Sequence, residues 1–117
     1  MTLITYVLSL FVIEVREYVD AAGKSPFTKW LRVLNVQAAA KVATALERLA
    51  GGNLSSVKPV GAGVLEYRID FGPGYRIYFG RDGDRLLILL AGGAKKRQQQ
   101  DIRKAKANWE DYRQRKA

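Results

Sequence analysis

The chain of 117 residues contains no cysteine and no histidine. Without cysteine it can form neither disulfides nor thiolate metal sites. Without histidine it has no imidazole metal ligand and no histidine general base. We therefore expect no metal and no small-molecule cofactor, and any acid–base chemistry must use lysine, tyrosine, glutamate or aspartate. The cytoplasm is the default compartment for such a chain.

Long apolar runs are also lacking. The mostly apolar stretch from Leu3 to Ile13 is shorter than the ~20 residues that span a bilayer. It also lacks the basic flank and the cleavage site of a signal peptide, so we expect no membrane association. Residues 1–9 either extend the first strand or come from an upstream start that the domain does not need, and we favour the second interpretation.

The charge is strongly basic and unevenly distributed. The net charge is +9 and the apolar content is 48%. Residues 1–57 carry six basic and four acidic side chains, whereas residues 58–117 carry fourteen and seven. The length and the apolar content predict one packed domain spanning residues 1–117. Basic charge can serve solubility alone, but its concentration in one half favours a polyanionic partner, nucleic acid first.

Two strands and a tight turn are predicted in the middle of the chain. Residues 64–70 and 75–79 alternate apolar and polar side chains, which is the period of half-buried strands. Gly72-Pro73-Gly74 interrupts the chain between them, because proline fixes φ and glycine accepts a positive φ. The sequence therefore predicts an antiparallel hairpin closed at this turn.

The register of this hairpin decides where its charged residues meet. If Ile69 pairs with Tyr75, then Arg68 lies opposite Arg76 on one sheet face. Two neighbouring arginines repel each other unless an anion sits between them, and the planar guanidinium suits phosphate. The pattern thus predicts a phosphate-binding sheet face. The alternative is a different register with two solvated arginines, since sequence fixes strand register only weakly.

A third strand and a helix complete the C-terminal half. Residues 85–91 follow the hairpin signal Asp82-Gly83 and are apolar on both faces, as in a central strand. Gly92-Gly93 is predicted to end this strand. A helix is predicted from about Gln98 to Tyr112, followed by a frayed basic tail over residues 113–117.

The N-terminal half predicts a strand and two helices. Residues 11–18 alternate as a strand. Ser25-Pro26 is a helix start, and Asn35 is predicted to end that helix. A second helix is predicted over residues 36–50, and residues 53–63 are predicted to form a loop that carries Lys58.

Three segments resemble a known family: VKPVGAG at residues 57–63, GVLEYRIDFGPGYRIYF at residues 63–79, and LLILLAGGAKKRQQQDI at residues 86–102. They are similar to the RelE/HigB superfamily of toxins from type II toxin–antitoxin modules, and most similar to the addiction-module killer protein subgroup. The resemblance implies an α+β fold with an N-terminal strand, a helical hairpin, a three-stranded antiparallel meander completing one sheet, and a C-terminal helix. It also implies a metal-independent mRNA endoribonuclease that inhibits translation, acting on the ribosome or on free mRNA. The implied partner is an antitoxin, a helix-turn-helix protein encoded by the adjacent gene.

The resemblance and the pattern of basic residues together predict the site residues. Arg68 and Arg76 are expected to hold the scissile phosphate, with Lys58 and Lys95 as further basic site residues. The other expected site residues are the proton carriers Tyr78 and Glu66 and the RNA-contacting Lys96 and Arg97. Related toxins place a catalytic tyrosine or histidine near the C-terminus. Here the corresponding Tyr112 fits an apolar helix stripe, so the general acid stays unassigned.

Other functions remain open at this point. A ParE-like toxin has the same fold and inhibits DNA gyrase by contact, without nuclease chemistry. A non-catalytic nucleic-acid-binding module would use the same basic surface. The sequence favours the nuclease because the motif is complete and the basic residues cluster around it, although fold alone does not decide function.

Overall fold

A computed structural model describes residues 13–116. These residues form one five-stranded sheet with helices on both faces. Element by element, the strands are β1 (Glu14–Glu17), β2 (Val57–Gly61), β3 (Val64–Ile69), β4 (Tyr75–Arg81) and β5 (Leu86–Ala94), and the α-helices are α1 (Pro26–Arg32), α2 (Val36–Ala50) and α3 (Gln98–Lys116). The predicted extension over residues 1–9 and the start of the first strand lie outside the described residues.

The strand order across the sheet is β1-β5-β4-β3-β2. Strand β1 runs parallel to β5, and the other neighbours pair antiparallel. The predicted α+β class is therefore confirmed, with the N-terminal strand, helical hairpin, antiparallel meander and C-terminal helix in the expected order.

The predicted loop over residues 53–63 is wrong in its second half. Residues 57–61 form the edge strand β2, which pairs with β3 and places Lys58 opposite Glu66. The proline at position 59 argued against a strand in the sequence. An edge strand tolerates proline because the missing N–H would face away from the ladder.

Helices α1 and α2 cover one face of the sheet. The side chain of Ser25 accepts a hydrogen bond from the Thr28 amide and caps α1. Asn35 was expected to end the first helix, but its side chain accepts from the Ala38 amide and caps the start of α2. Both helices contribute to a core of ten buried residues on this face: Phe27, Val42, Ala45, Leu49, Tyr67, Ile69, Ile77, Phe79, Leu87 and Leu89.

Strand β5 continues through the two glycines that were expected to end it. Gly92 lies under the indole of Trp30, and a Cβ at this position would overlap the ring. Gly93 likewise leaves room for the carboxylate of Asp101. The glycines are therefore explained by close packing on the two faces of a strand, not by chain termination.

Helix α3 covers the other face and is longer than predicted. The residues expected to fray, 113–116, continue the helix to Lys116. Tyr18 donates a hydrogen bond of 2.7 Å to Asp111, which ties β1 to the C-terminal part of α3. Ile102, Ala105 and Trp109 of α3 are buried against the sheet. The polar residues of β3 and β4 on this face consequently lie next to a helix and not entirely in solvent.

Candidate functional site

The hairpin of β3 and β4 has the predicted register. Ile69 pairs with Tyr75, and Arg68 lies opposite Arg76. Glu66 lies opposite Tyr78 one pleat further along. The four polar side chains therefore share one sheet face, as the sequence predicted.

The sequence predicted that both arginines of this face are accessible, but only one of them is. Arg68 is exposed, but Arg76 is only 2% exposed, Glu66 1% and Tyr78 0%. The start of α3 lies over this part of the sheet. Gln98, in its first turn, donates a hydrogen bond of 2.9 Å to Glu66 Oε2, and Ile102 lies in the same buried cluster as Tyr78. Of the two arginines, only Arg68 is directly accessible to a large ligand.

The anion beside Arg76 is the protein's own Glu66. Glu66 Oε1 lies 3.9 Å from Arg76 Nε and 3.7 Å from Lys58 Nζ. A second nitrogen of the Arg76 guanidinium donates to the Gly74 carbonyl at 2.7 Å. One buried carboxylate thus neutralises a buried guanidinium while it also faces an exposed lysine. Glu66 and Arg76 therefore form an ion pair across the hairpin, and both partners are buried.

Three buried polar atoms of this cluster have no hydrogen-bond partner among residues 13–116: Glu66 Oε1, Arg76 Nε and Tyr78 Oη. At 3.9 Å, the first two attract each other electrostatically without forming a hydrogen bond. Burial, followed by the negative charge of Glu66, raises the pKa of the Tyr78 hydroxyl well above its ordinary value. Tyr78 is consequently a protonated phenol at neutral pH, able to donate a proton but not to accept one.

Asp101 belongs to the same buried region. It lies in the first turn of α3, is 8% exposed, and occupies the space above Gly93. Burial raises the pKa of its carboxyl, although the cations of Arg97 and Lys104 act in the opposite direction. Neither Asp101 nor Gln98 is among the site residues predicted from the sequence, in which Asp101 is typical of a charge at a helix N-terminus. The glycine pair before a basic helix start was one available signal.

An arc of exposed basic residues surrounds the buried cluster. We call it the basic rim: Lys58, Arg68, Lys95, Lys96 and Arg97, all exposed. The last three form a single 3₁₀ turn that leads into α3. The backbone amide of Lys95 donates to the Gly74 carbonyl at 2.9 Å, so the same turn that aligns β3 and β4 also positions the start of this arc.

The Gly-Pro-Gly turn has the backbone that its composition predicts. Gly72 has a φ of 56° and Gly74 a φ of 77°, a region that residues with a side chain adopt reluctantly. Gly74 also approaches Arg76 closely, because a Cβ there would lie 3.2 Å from the guanidinium. Both glycines are therefore structural, as expected.

Tyr112 does not join the site. Its ring stacks on Trp109 at 5.3 Å between centroids, and its hydroxyl donates to Asp82. Burial and this hydrogen bond raise its pKa to about 12. The placement agrees with the apolar stripe predicted for this helix.

Residues 13–116 contain neither a metal-binding cluster nor a membrane-spanning helix. No group of three or more acidic side chains within this range could hold a metal ion. Within the same range, no helix is both long and apolar enough to cross a membrane.

The chain belongs to the phage-derived Gp49-like protein family (DUF891), whose model matches residues 29–110. This is a toxin-type family related to addiction modules. The chain is also 44% identical over 81 residues to an uncharacterized protein of Haemophilus influenzae, covering 68% of this chain and 82% of the relative.

Proposed function

We propose that the protein is the toxin of a type II toxin–antitoxin module and that it inhibits translation by cleaving mRNA. Membership of a toxin-type family supports the first part. The observation that carries the second part is the basic rim around the buried cluster of Glu66, Arg76 and Tyr78. Exposed cations suit the binding of a phosphodiester backbone, and the cluster supplies groups for acid–base chemistry beside them.

RNA cleavage at such a site needs no metal ion. The 2′-hydroxyl of the nucleotide attacks the neighbouring phosphate, and the 5′-oxygen leaves. The protein aligns the attack, removes one proton, supplies another, and stabilises the added negative charge on the phosphate. Arg68 is our candidate for the contact with the scissile phosphate. Lys96 and Arg97 hold flanking phosphates.

The proton carriers come from Lys58, Lys95, Tyr78 and Glu66. The two lysines are exposed on the rim and can reach a bound strand directly. Tyr78 and Glu66 are buried and reach a bound strand only when the start of α3 moves away from them. Arg76 acts in this proposal from beneath the site: it holds the Glu66 carboxylate, whose other neighbour is Lys58.

The partner is a cognate antitoxin in this proposal, encoded beside the toxin as a helix-turn-helix protein. The rim carries five exposed cations, which an acidic segment of the antitoxin would neutralise while it occludes the strand-binding surface. Binding of the two proteins should therefore weaken with salt, and bound antitoxin should compete with RNA.

One observation favours a second candidate function. Because Arg76 is buried, only Arg68 of the facing pair is accessible, whereas the nuclease hypothesis expected both arginines of the pair to hold the phosphate. A ParE-like toxin, which inhibits DNA gyrase by contact, needs no phosphate-gripping pair. Under this alternative the rim contacts another protein or DNA, and replacement of Arg68 leaves toxicity intact.

Inducible expression with mapping of mRNA 5′ ends tests the proposal. Wild type should arrest growth and create new 5′ ends, and Arg68→Ala should do neither. Arg32→Ala, which removes an exposed charge from α1, is the matched control and should behave as wild type. Growth arrest without new 5′ ends, rescued by gyrase-resistance mutations, would support the alternative instead.

A further inference from the structure

A cleft of about 570 Å³ lies at the open edge of the sheet, outside the basic rim except for two shared residues. One wall is α2, and the other is formed by residues 55–58 together with residues 66–70 of β3 and its end. Nine of its thirteen lining residues are polar or charged, among them Lys41, Arg48, Ser55, Ser56 and Arg68. Such a lining suits a charged backbone better than a buried apolar ligand.

The cleft gathers four basic side chains. Lys41 and Arg48 come from α2, and Lys58 and Arg68 from the rim. Lys41, Arg48 and Arg68 make no ion pair within 4 Å among residues 13–116. The segment 1–12 contains no acidic residue that could pair with them. Positive charge in this cleft is therefore available to a ligand.

The acidic residues of the cleft do not cancel this charge. Glu66 is 1% exposed and lies against Arg76 as well as Lys58. Asp70 is exposed at the end of β3, which leaves one accessible carboxylate against four cations. The cleft is thus a cationic surface with a net attraction for phosphate.

Helix packing fixes the two α2 cations at the cleft. Val42, Ala45 and Leu49 are buried against the sheet, and Lys41 and Arg48 flank this apolar stripe on its cleft side. They are seven residues apart, two helical turns, which is about 10 Å along the helix axis. Lys41 also lies 5.3 Å from the centre of the Phe71 ring, a cation–π contact that orients its side chain.

We propose that this cleft is a second phosphate-binding subsite, which holds the RNA backbone on the side of Arg68 remote from the 3₁₀ turn. Arg68 and Lys58 are shared between the cleft and the rim, so one strand can contact both. The ligand class is a single-stranded polynucleotide, bound through its backbone and therefore without base preference. The inference rests on the proposed function.

Binding of single-stranded oligonucleotides by a Lys41→Gln/Arg48→Gln variant tests the subsite. The probe carries 2′-deoxy sugars so that it cannot be cleaved, and it is used in a short form and a long form. We expect the variant to bind the long probe roughly tenfold more weakly, with the salt slope reduced by about 1.4 for two lost contacts. The short probe, which the rim alone can hold, should bind as it does to wild type.

Lys29→Gln/Arg32→Gln is the matched control, because it removes two exposed cations from α1 and leaves the cleft intact. It should bind both probes as wild type does. Equal losses in the two variants, or no loss in the cleft variant, would overturn the subsite. A cleft variant that keeps RNA binding but loses the antitoxin would instead identify an acidic protein segment as the occupant, and also overturns it.

The test separates this inference from the proposed function. Wild-type protein that binds the long probe with the expected dependence on Lys41 and Arg48, yet cleaves no RNA, would retain the subsite and refute the nuclease. Wild-type protein that cleaves RNA, and whose binding does not depend on Lys41 and Arg48, would support the nuclease and refute the subsite.

Discussion

Glu66 Oε1 lies 3.9 Å from Arg76 Nε, and both side chains are almost completely buried beneath the start of α3. A buried pair of this kind contributes little net stability, because desolvation of the two charges offsets their attraction. Removal of one partner is costly because it leaves the other charge alone in the interior. The pair therefore links β3 to β4, and the hydrogen bond from Gln98 to Glu66 links the last helix to the same carboxylate.

Glu66→Gln should lower the free energy of unfolding by about 3–5 kcal/mol, since it leaves the Arg76 guanidinium uncompensated. Urea denaturation at neutral pH measures the change. Asp70→Asn removes a carboxylate from an exposed position on the same segment and should change stability by less than about 0.5 kcal/mol. A double variant Glu66→Gln/Arg76→Met should recover much of the loss, and a double variant no more stable than Glu66→Gln would argue against the ion pair as the cause.

Arg68 and Arg76 face each other across the hairpin but should respond differently to substitution. Arg68→Gln should leave unfolding unchanged within about 0.5 kcal/mol, because the side chain is exposed. It should reduce RNA cleavage by about 10²-fold or more, as expected for loss of a group that stabilises charge on the phosphate. Arg76→Gln should destabilise the fold. Parallel measurement of unfolding and of kcat/KM separates the two effects, and a fully active Arg68→Gln protein would remove it from the site.

Gly92→Ala should destabilise the protein by about 1–3 kcal/mol, the usual cost of overpacking. The added methyl group would overlap the Trp30 ring and push α1 away from the sheet. Gly51→Ala is the control, because Gly51 has a negative φ of −81° and a Cβ there would make ordinary contacts from 3.5 Å. Thermal or urea unfolding of both variants gives the comparison, and equal stabilities would contradict the packing described here.

Asp101 should make stability fall as the pH rises. Burial raises the pKa of its carboxyl in the folded protein, so between the unfolded and folded pKa values the folded state binds more protons. Stability contributed by the protonated carboxyl is present below the unfolded pKa and is lost as the pH passes the folded one. Asp101→Asn should therefore gain stability relative to wild type on going from acidic to neutral pH. Unfolding measured across this range checks the sign, and a constant difference would contradict it.

The register of β3 and β4 could be predicted because the two alternating runs and the Gly-Pro-Gly turn admit few pairings. Strand β2 could not, since Pro59 and the flanking glycines resemble a loop until an edge position is known. The two glycines at the end of β5 were equally ambiguous. Glycine ends strands, but it also admits a tryptophan or a carboxylate against the backbone, and only the packing of α1 and α3 decides between these.

The sheet face that carries the candidate residues could be predicted from the sequence, but their exposure could not. Alternation along the strands placed Glu66, Arg68, Arg76 and Tyr78 on one face. Burial depends on which element covers that face, and the apolar stripe predicted for the last helix did not indicate which part of the sheet this helix would cover. Lys41 and Arg48, which belong to the proposed subsite, were not predicted because each, taken alone, is typical of a solvated helix residue.

In the proposed function, the 2′-hydroxyl beside the scissile phosphate attacks that phosphate, and the RNA strand breaks. Incubation of purified protein with mRNA, both free and ribosome-bound, and analysis of the product ends tests it directly. We predict cleavage in the presence of a metal chelator, and complete loss of cleavage when the 2′-hydroxyl at the cut position is replaced by hydrogen. If mRNA stays intact both free and on the ribosome, or if cleavage persists without that hydroxyl, the proposed reaction is contradicted.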